Sequence, residues 1–340
     1  MNQQVATPPL GTATNAVTID GPETLGIEQQ LRRMLKAGRA SLPMPGSGQT
    51  LERWRALAEI AAVDLSLAKL FESHTDALAI MAELASGTTP NPGLWAVWAA
   101  ESPNARVQAE PSGPGQLRLT GVKAWCSGAS QVDNALLTVW GPRGERWLAA
   151  VTLCQPNVSV TEGAWKAVGM AATASLDVRF QGAVAERVGD TDSYLQRPGF
   201  WQGGGGIAAC WYGAAARLGE YLRSSAQRDP HALAHLGAVD AHLTSAAADL
   251  RACAQWIDEH PEAHAELPVR RVRAQIEQTV EQVLRHVGRA LGATPFCRNR
   301  HFAQLAADLP VFVRQSHAER DLAALGALSR VQLQANEWCL

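Results

Sequence analysis

The hydrophobic period of this chain changes twice, and that change narrows the possible folds more than any single motif does. From about Gly26 to Leu84, apolar residues recur at helical spacing. IEQQLRRMLKAG is amphipathic and stops near a glycine. LERWRALAEIAAVDLSLAKLFESHTDALAIMAEL carries Leu51, Trp54, Leu57, Ile60 and Ala61 on one stripe. The breaker LPMPGSGQT separates the two, with Thr50 placed to cap the second, and a further break is expected near Asp64–Ser66. After the turn cluster GTTPNP, from Gly93 to Asp190, the texture becomes strand-like. GLWAVWAAE, GQLRLTGVKAWC, NALLTVW, RWLAAVTL, VSVTEGAW and LDVRFQGAVAERV are short β-rich segments with turns between them, as in a sandwich or barrel. From Gly199 onward helical spacing returns. GIAACWYGAAARLGEYLRSSAQ is rich in small residues, and Asp240–His260 places Leu243, Ala247, Leu250, Ala254 and Ile257 on one stripe. Pro268 opens a helix carrying Val272, Ile276, Val280, Val283, Val287 and Leu291, which Gly292-Ala293-Thr294-Pro295 ends. Two more helices, broken near Pro310, are expected over Arg300–Leu333.

This order predicts a multi-domain α+β protein. A flexible leader (1–25) precedes a short N-terminal helical domain (26–90), a middle β-sandwich or barrel-like domain (91–195) and a C-terminal helical bundle (196–340). At 340 residues the chain can bury two or three cores. Lys and Arg number 30 against 32 Asp and Glu, with no basic run, which argues against a nucleic-acid partner. No apolar run reaches the length of a membrane span, so no membrane insertion is expected. The first twenty residues lack the basic start and apolar stretch of a secretory signal. Six scattered cysteines without a C-x-x-C pair read as small core residues of a cytoplasmic protein and offer no metal site.

The stretch Leu119–Leu137, LTGVKAWCSGASQVDNALL, concentrates candidate chemistry at the end of a strand-like run. Trp125 can lie flat against a planar ring, while the Ser127 hydroxyl and neighbouring N–H groups can bond the ring's edge. These are the parts needed to hold a flavin. The same residues also read as a core tryptophan followed by a turn.

The neighbouring segments favour the first reading. Gly121-Val122-Lys123-Ala124-Trp125-Cys126-Ser127-Gly128-Ala129 resembles the G-x-K-x-W-x-[ST]-x-A/G run of the acyl-CoA dehydrogenase superfamily. Trp95–Glu101, WAVWAAE, is similar to that family's preceding strand, and Trp165–Phe180 resembles its later G-M-R-x-[ST] signature. Arg197-Pro198-Gly199-Phe200 resembles the lead into its C-terminal domain. The resemblance covers roughly Ser66 to the C-terminus. It implies FAD held where a β-domain meets two helical domains, with Trp98, Ala99, Trp125, Cys126, Ser127, Arg228 and Gly292 at the cofactor. It also implies a homodimer or homotetramer, and oxidation of a CH–CH bond α,β to a thioester, with acyl-CoA as the small-molecule substrate and a separate electron acceptor.

The sequence departs from that pattern where the reaction would be decided. The N-terminal helical region is about half the family's size, and Ala171-Ala172 follow Met170 where the family has Arg. Arg228-Asp229-Pro230-His231 is a reduced phosphate segment. The family's glutamate base is missing, and register puts Ser316 in its place. Glu101 and Glu319 are the carboxylates considered in its stead. His317, with Asp321 at i,i+4, and His74 in FESHTDA point to an alternative: a flavin-dependent monooxygenase of the same fold, supplied with reduced flavin by a reductase. Each histidine equally reads as a cap or a solvated helix residue. A catalytically silent relative binding an acyl group or a partner protein is the third reading.

Overall fold

Among the described residues, three helices precede the sheet: α1 (Ile27–Lys36), α2 (Thr50–Val63) and α3 (Leu65–Leu84). The structure, a computed structural model, describes residues 25–85, 89–161, 165–225 and 229–332. The break between α2 and α3 falls where expected. Asp64 is extended there, and its side chain accepts from Leu67 N at 2.8 Å, which starts the next helix. Thr50 is not the cap of α2. It is the first helical residue, and the cap comes from Asp258, far along the chain, which accepts from Gly48 N and Thr50 N at 3.0 Å each. Thr50 Oγ1 also donates to that carboxylate at 2.6 Å.

Among the described residues, seven strands follow: β1 (Trp95–Trp98), β2 (Val107–Gly113), β3 (Gln116–Cys126), β4 (Asn134–Trp140), β5 (Arg146–Thr152), β6 (Val158–Thr161) and β7 (Leu176–Val188). Their order is β1-β4-β2-β3-β7-β5, and β5 pairs back on β4, so five strands close a barrel-like ring. β1 joins β4 in parallel, and β6 is antiparallel to β7. The strand absent from the sequence reading is β2. Pro111 and Glu110 sit in it, its outward residues are exposed, and its register slips between Pro111 and Gly113. α1 is clamped to the barrel by Arg32, which grips both oxygens of Asp133 at 2.9 and 3.0 Å, while Leu94 N donates to the same carboxylate at 2.7 Å.

The remaining helices are α4 (Ser193–Gln196), α5 (Pro198–Ser225), α6 (Pro230–Glu259), α7 (Glu266–Leu291), α8 (Thr294–Arg298), α9 (Arg300–Phe312) and α10 (Glu319–Gln332). α9 runs through Pro310, and a 3-10 turn (Val313–Gln315) follows it. The run Gly203–Gly206 lies inside α5. Its glycines admit neighbours: a Cβ on Gly205 would stand 2.3 Å from Trp54 Cζ2, and one on Gly213 would stand 2.1 Å from Ala58 O. The absence of side chains here lets α2 and α5 approach closely enough to bury Trp54 and Leu57. Asp229-Pro230 forms the start of α6, with Asp229 accepting from Ala232 N at 3.1 Å.

The three textures of the sequence share one core. A continuous cluster of buried side chains runs from Leu31 through Leu119, Leu137 and Phe180 to Trp211, Val280 and Phe302. The expected stripe on α7 is buried from Val272 to Val287. Among the described residues, no helix is long and apolar enough to cross a membrane.

Candidate functional site

The end of β3 is where the barrel, α3 and α9 meet. Gly121 adopts φ +130° because any Cβ there would strike Arg106 O at 2.1 Å. The β3–β7 register then slips between Lys123 and Cys126, and Trp125 takes φ +62°. A tryptophan in the left-handed region costs on the order of 1 kcal/mol and needs its neighbours to hold it. They do so: Cys126 is buried with its Sγ 3.2 Å from Lys123 O, and Ser127 N donates to Trp125 O at 3.1 Å. Burial pushes the Cys126 thiol well above its ordinary range, so this cysteine is an inert anchor. The turn thrusts the Trp125 indole outward, 59% exposed, between the buried Ala124 and Cys126. Trp165 packs against it edge to face at 6.2 Å. Among the described residues the Trp165 indole N–H is buried without a hydrogen-bond partner.

Beneath these indoles runs a polar chain. Trp98 Nε1 donates to Ser127 O at 3.0 Å, joining β1 to the turn. Ser127 Oγ lies 2.8 Å from Ser175 Oγ, which lies 3.0 Å from Thr173 Oγ1, which donates to Met170 O at 2.8 Å. Gly128 N donates to Thr173 O at 2.7 Å. Gly128 must be glycine in this place, since its φ is +71° and a Cβ would meet Leu70 of α3 at 2.8 Å. Met170 and Ala174 bracket the 3-10 turn Ala171–Thr173 in left-handed conformations. The turn is fixed to α9 by Asp308, which accepts from Met170 N at 2.5 Å and from Gln304 Nε2 at 2.8 Å. Gly169 lies so close to Ala307 O that a Cβ would stand 2.0 Å away. Asp308 and the Thr173 carbonyl escape a local reading, because Met170 N and Gly128 N reach them from other elements. The cluster of small residues in GMAATAS is the only local signal of this junction.

Between β1 and β2 a second polar group closes the barrel. The Lys123 ammonium, buried beneath the sheet, donates to Glu101 Oε1 at 3.0 Å, to Thr138 Oγ1 at 2.7 Å and to Thr138 O at 3.0 Å. Trp140 Nε1 donates to Glu101 Oε2 at 3.0 Å, and Thr138 Oγ1 donates to Oε1. Burial alone would raise the Glu101 carboxyl, but the Thr138 hydrogen bond and the Lys123 charge hold it below the usual carboxylate range. An anion held by three donors is poorly placed to take a proton near neutrality.

The residues proposed for proton chemistry sit apart from this junction. His74 is buried on α3, and its Nδ1 accepts from Trp95 N at 3.1 Å; Ser73 Oγ beside it accepts from Val97 N at 2.8 Å. Burial lowers the His74 imidazole to about 4, so it is neutral and serves the edge of β1 as an acceptor. Ser316 is buried at the start of the turn into α10. Its Oγ accepts from Ala318 N at 3.2 Å and lies 3.5 Å from Asp321. His317 is largely exposed; its backbone N donates to Asp321 Oδ2 at 2.9 Å, and its Nδ1 is 3.8 Å from the same oxygen. Arg270 and Arg273 of α7 line, with Ser316 and Asp321, a cavity of about 20 Å³, room for a single water. Ala99 is half-buried just after β1. Gly292 is exposed at the end of α7 with φ 61° and ψ −159°, a conformation open essentially to glycine alone. Arg228 lies outside the described residues.

The residues at the end of β3 fit a planar ring with a polar edge. They offer an exposed indole and a hydroxyl chain ending at Ser127.

No protein-family model matches the chain, and no curated protein matches it. Solved structures do. The chain is similar to a dibenzothiophene monooxygenase, TdsC from Paenibacillus sp. A11-2 (22% identity, TM-score 0.69), with 90% of this chain and 95% of that one covered. The same TdsC has been solved with FMN bound. The methanesulfinate monooxygenase MsuC from Pseudomonas fluorescens is similar at 17% identity and TM-score 0.73, covering 91% and 93%. A nitrososynthase from Micromonospora carbonacea var. africana is similar at 16% identity and TM-score 0.75, covering 90% and 89%. At these identities the likeness shows a shared fold: a barrel-like sheet between helices and a helical C-terminal region.

Proposed function

We propose that this chain is a flavin-dependent monooxygenase that takes reduced FMN from a separate reductase and places one atom of O2 on a small-molecule substrate. The observation that carries this reading is the outward Trp125 indole, held in a left-handed turn and braced by Trp165 at the junction of α3, β3 and α9. A protein keeps a strained, exposed tryptophan where a ligand covers it. Two fold neighbours are monooxygenases, and TdsC has been solved with FMN, which supports oxygen chemistry over thioester dehydrogenation. A bound reduced flavin would supply the electrons that activate O2.

The residues of the chain would divide the remaining work. Trp125 would stack on the ring, with Trp165 bracing it from behind, and Ser127 would contact the ring's edge. Trp98, Cys126 and Ala99 would hold those groups in place. Thioester dehydrogenation needs a carboxylate base, and the chain places Ser316 at the expected position while Glu101 is engaged as an ion. FMN is proposed in place of the FAD of the sequence resemblance because the fold neighbour TdsC has been solved with FMN. Ser316 and His317, beside Asp321, sit apart from Trp125 and enter this reading as candidates for proton handling through register alone, Ser316 standing where the family keeps its base.

The test is anaerobic loading with FMN followed by two assays. Oxygen uptake that requires supplied reduced FMN is the expected result. Anaerobic bleaching of the loaded protein by an acyl-CoA panel would overturn the proposal in favour of the dehydrogenase.

A further inference from the structure

Away from the barrel, two histidines face each other across the seam between α6 and α7. His235 Nδ1 lies 2.9 Å from His286 Nδ1, with the ring centroids 5.1 Å apart and the planes inclined at 57°. Both rings are half-buried at the rim of a packed seam, where Val239, Val283 and Val287 are at most 2% exposed. In this contact one Nδ1 carries a proton and the other a lone pair. Burial, with the charges of His235, Arg285, His242 and Arg289, lowers the His286 imidazole below its ordinary value, so that ring is neutral near pH 7. A shift of the bridging proton to Nε2 of its own ring leaves two lone pairs converging from two helices.

The spacing selects a coordination geometry. With metal–imidazole bonds of about 2.0–2.1 Å, two ligands at a right angle stand about 2.9 Å apart, and two ligands of a tetrahedron about 3.3 Å. The observed 2.9 Å is the right-angled edge, which Cu2+ and Ni2+ present in tetragonal sites. We propose that His235 and His286 form a two-point site for Cu2+ or Ni2+ that fastens α6 to α7. Among the described residues, no third histidine, cysteine or carboxylate completes a cluster around the pair, so water fills the other positions. Arg285 and Arg289 repel any cation from this face. A hard ion such as Ca2+ or Mg2+ gains nothing from imidazole to offset that repulsion, whereas Cu2+ and Ni2+ do. The two rings meet only when α6 and α7 are packed, so the metal stabilises the folded chain. The site stands apart from Trp125 and does not depend on the flavin reading.

The test is calorimetric titration of the whole chain, stripped with EDTA, with NiCl2 and with CuCl2 near neutral pH, beside thermal unfolding with and without each metal. One metal per chain is expected, with micromolar affinity and a rise in Tm. His235→Gln and His286→Gln should each weaken binding about tenfold or more and abolish the rise in Tm. His260→Gln changes an exposed histidine stacked on Trp256 and should leave both unchanged. The electron paramagnetic resonance spectrum of the Cu2+-loaded parent should show coupling to two imidazole nitrogens, and that of either pair variant to one at most. If one variant does not fold, the other carries the same expectation, and the spectrum of the parent stands without either. No saturable binding by the parent, binding that survives both substitutions, or equal binding of CaCl2 or MgCl2 would overturn the inference.

Discussion

Gly213→Ala and Gly237→Ala are the same chemical change in two long helices, and the structure expects opposite signs. Gly237 lies on the exposed face of α6, with nothing within 4 Å of an added Cβ. Alanine there should gain about 0.8–1 kcal/mol, the usual difference in helix propensity. Gly213 of α5 faces α2, where the added Cβ would stand 2.1 Å from Ala58 O and 2.7 Å from its Cα. Those are backbone atoms and cannot rotate away, so α2 would have to retreat by about 1 Å to reach ordinary contact. That retreat loosens Trp54 and Leu57, which are 2% and 1% exposed. Overpacking of this kind costs about 1–3 kcal/mol and sometimes more. A clash with backbone that cannot rotate away falls in the upper part of that range, about 2–3 kcal/mol, so that subtracting the propensity gain leaves a net loss of about 1–2 kcal/mol. Urea denaturation followed by far-ultraviolet circular dichroism reads both variants against the parent, with the slope m required to stay constant. A Gly213→Ala protein as stable as the parent, beside a stabilised Gly237→Ala protein, would refute the close approach of α2 and α5.

Trp125→Gly relieves a left-handed tryptophan, so the variant should be at least as stable as the parent while its FMN affinity falls tenfold or more; parallel loss of stability and affinity would contradict the assigned role. His74 has its imidazole lowered to about 4 from an ordinary 6.5, so its contribution is complete above 6.5 and is lost as pH falls toward 4, by about 3 kcal/mol in all. Denaturation midpoints between pH 7 and 4.5 should therefore fall more steeply for the parent than for His74→Gln, and equal slopes would show that the buried imidazole is not what titrates.

The legible parts of the chain are those whose signals are local. Helical stripes such as Val272–Val287 and alternating segments such as NALLTVW became the expected elements because burial imposes their period. Trp98, Trp125 and Ser127 could be grouped from the sequence because they lie near strand ends, and the structure joins Trp98 to Ser127 directly. What escaped the reading depends on distant partners. Gly203–Gly206 looks like a loop until Trp54 and Leu57 are seen against it. β2 carries a proline and an exposed polar face, and only the pairing with β3 makes it a strand. Asp308 is an unremarkable helical residue until Met170 N is found on its carboxylate. His74 sits in a promising sequence context, yet its ring is spent on the backbone of Trp95.

The cap that Asp258 places on α2 also bears on synthesis. The helix and the carboxylate that finishes its first turn are 208 residues apart. At about 5–20 residues per second, the ribosome makes Asp258 roughly 10–40 s after Thr50. Throughout that interval α2 lacks its cap, and for most of it α5, the surface that covers Trp54, has still to be made. The first helices of this protein therefore emerge as clients for chaperones, and they settle only when the last third of the nascent chain arrives.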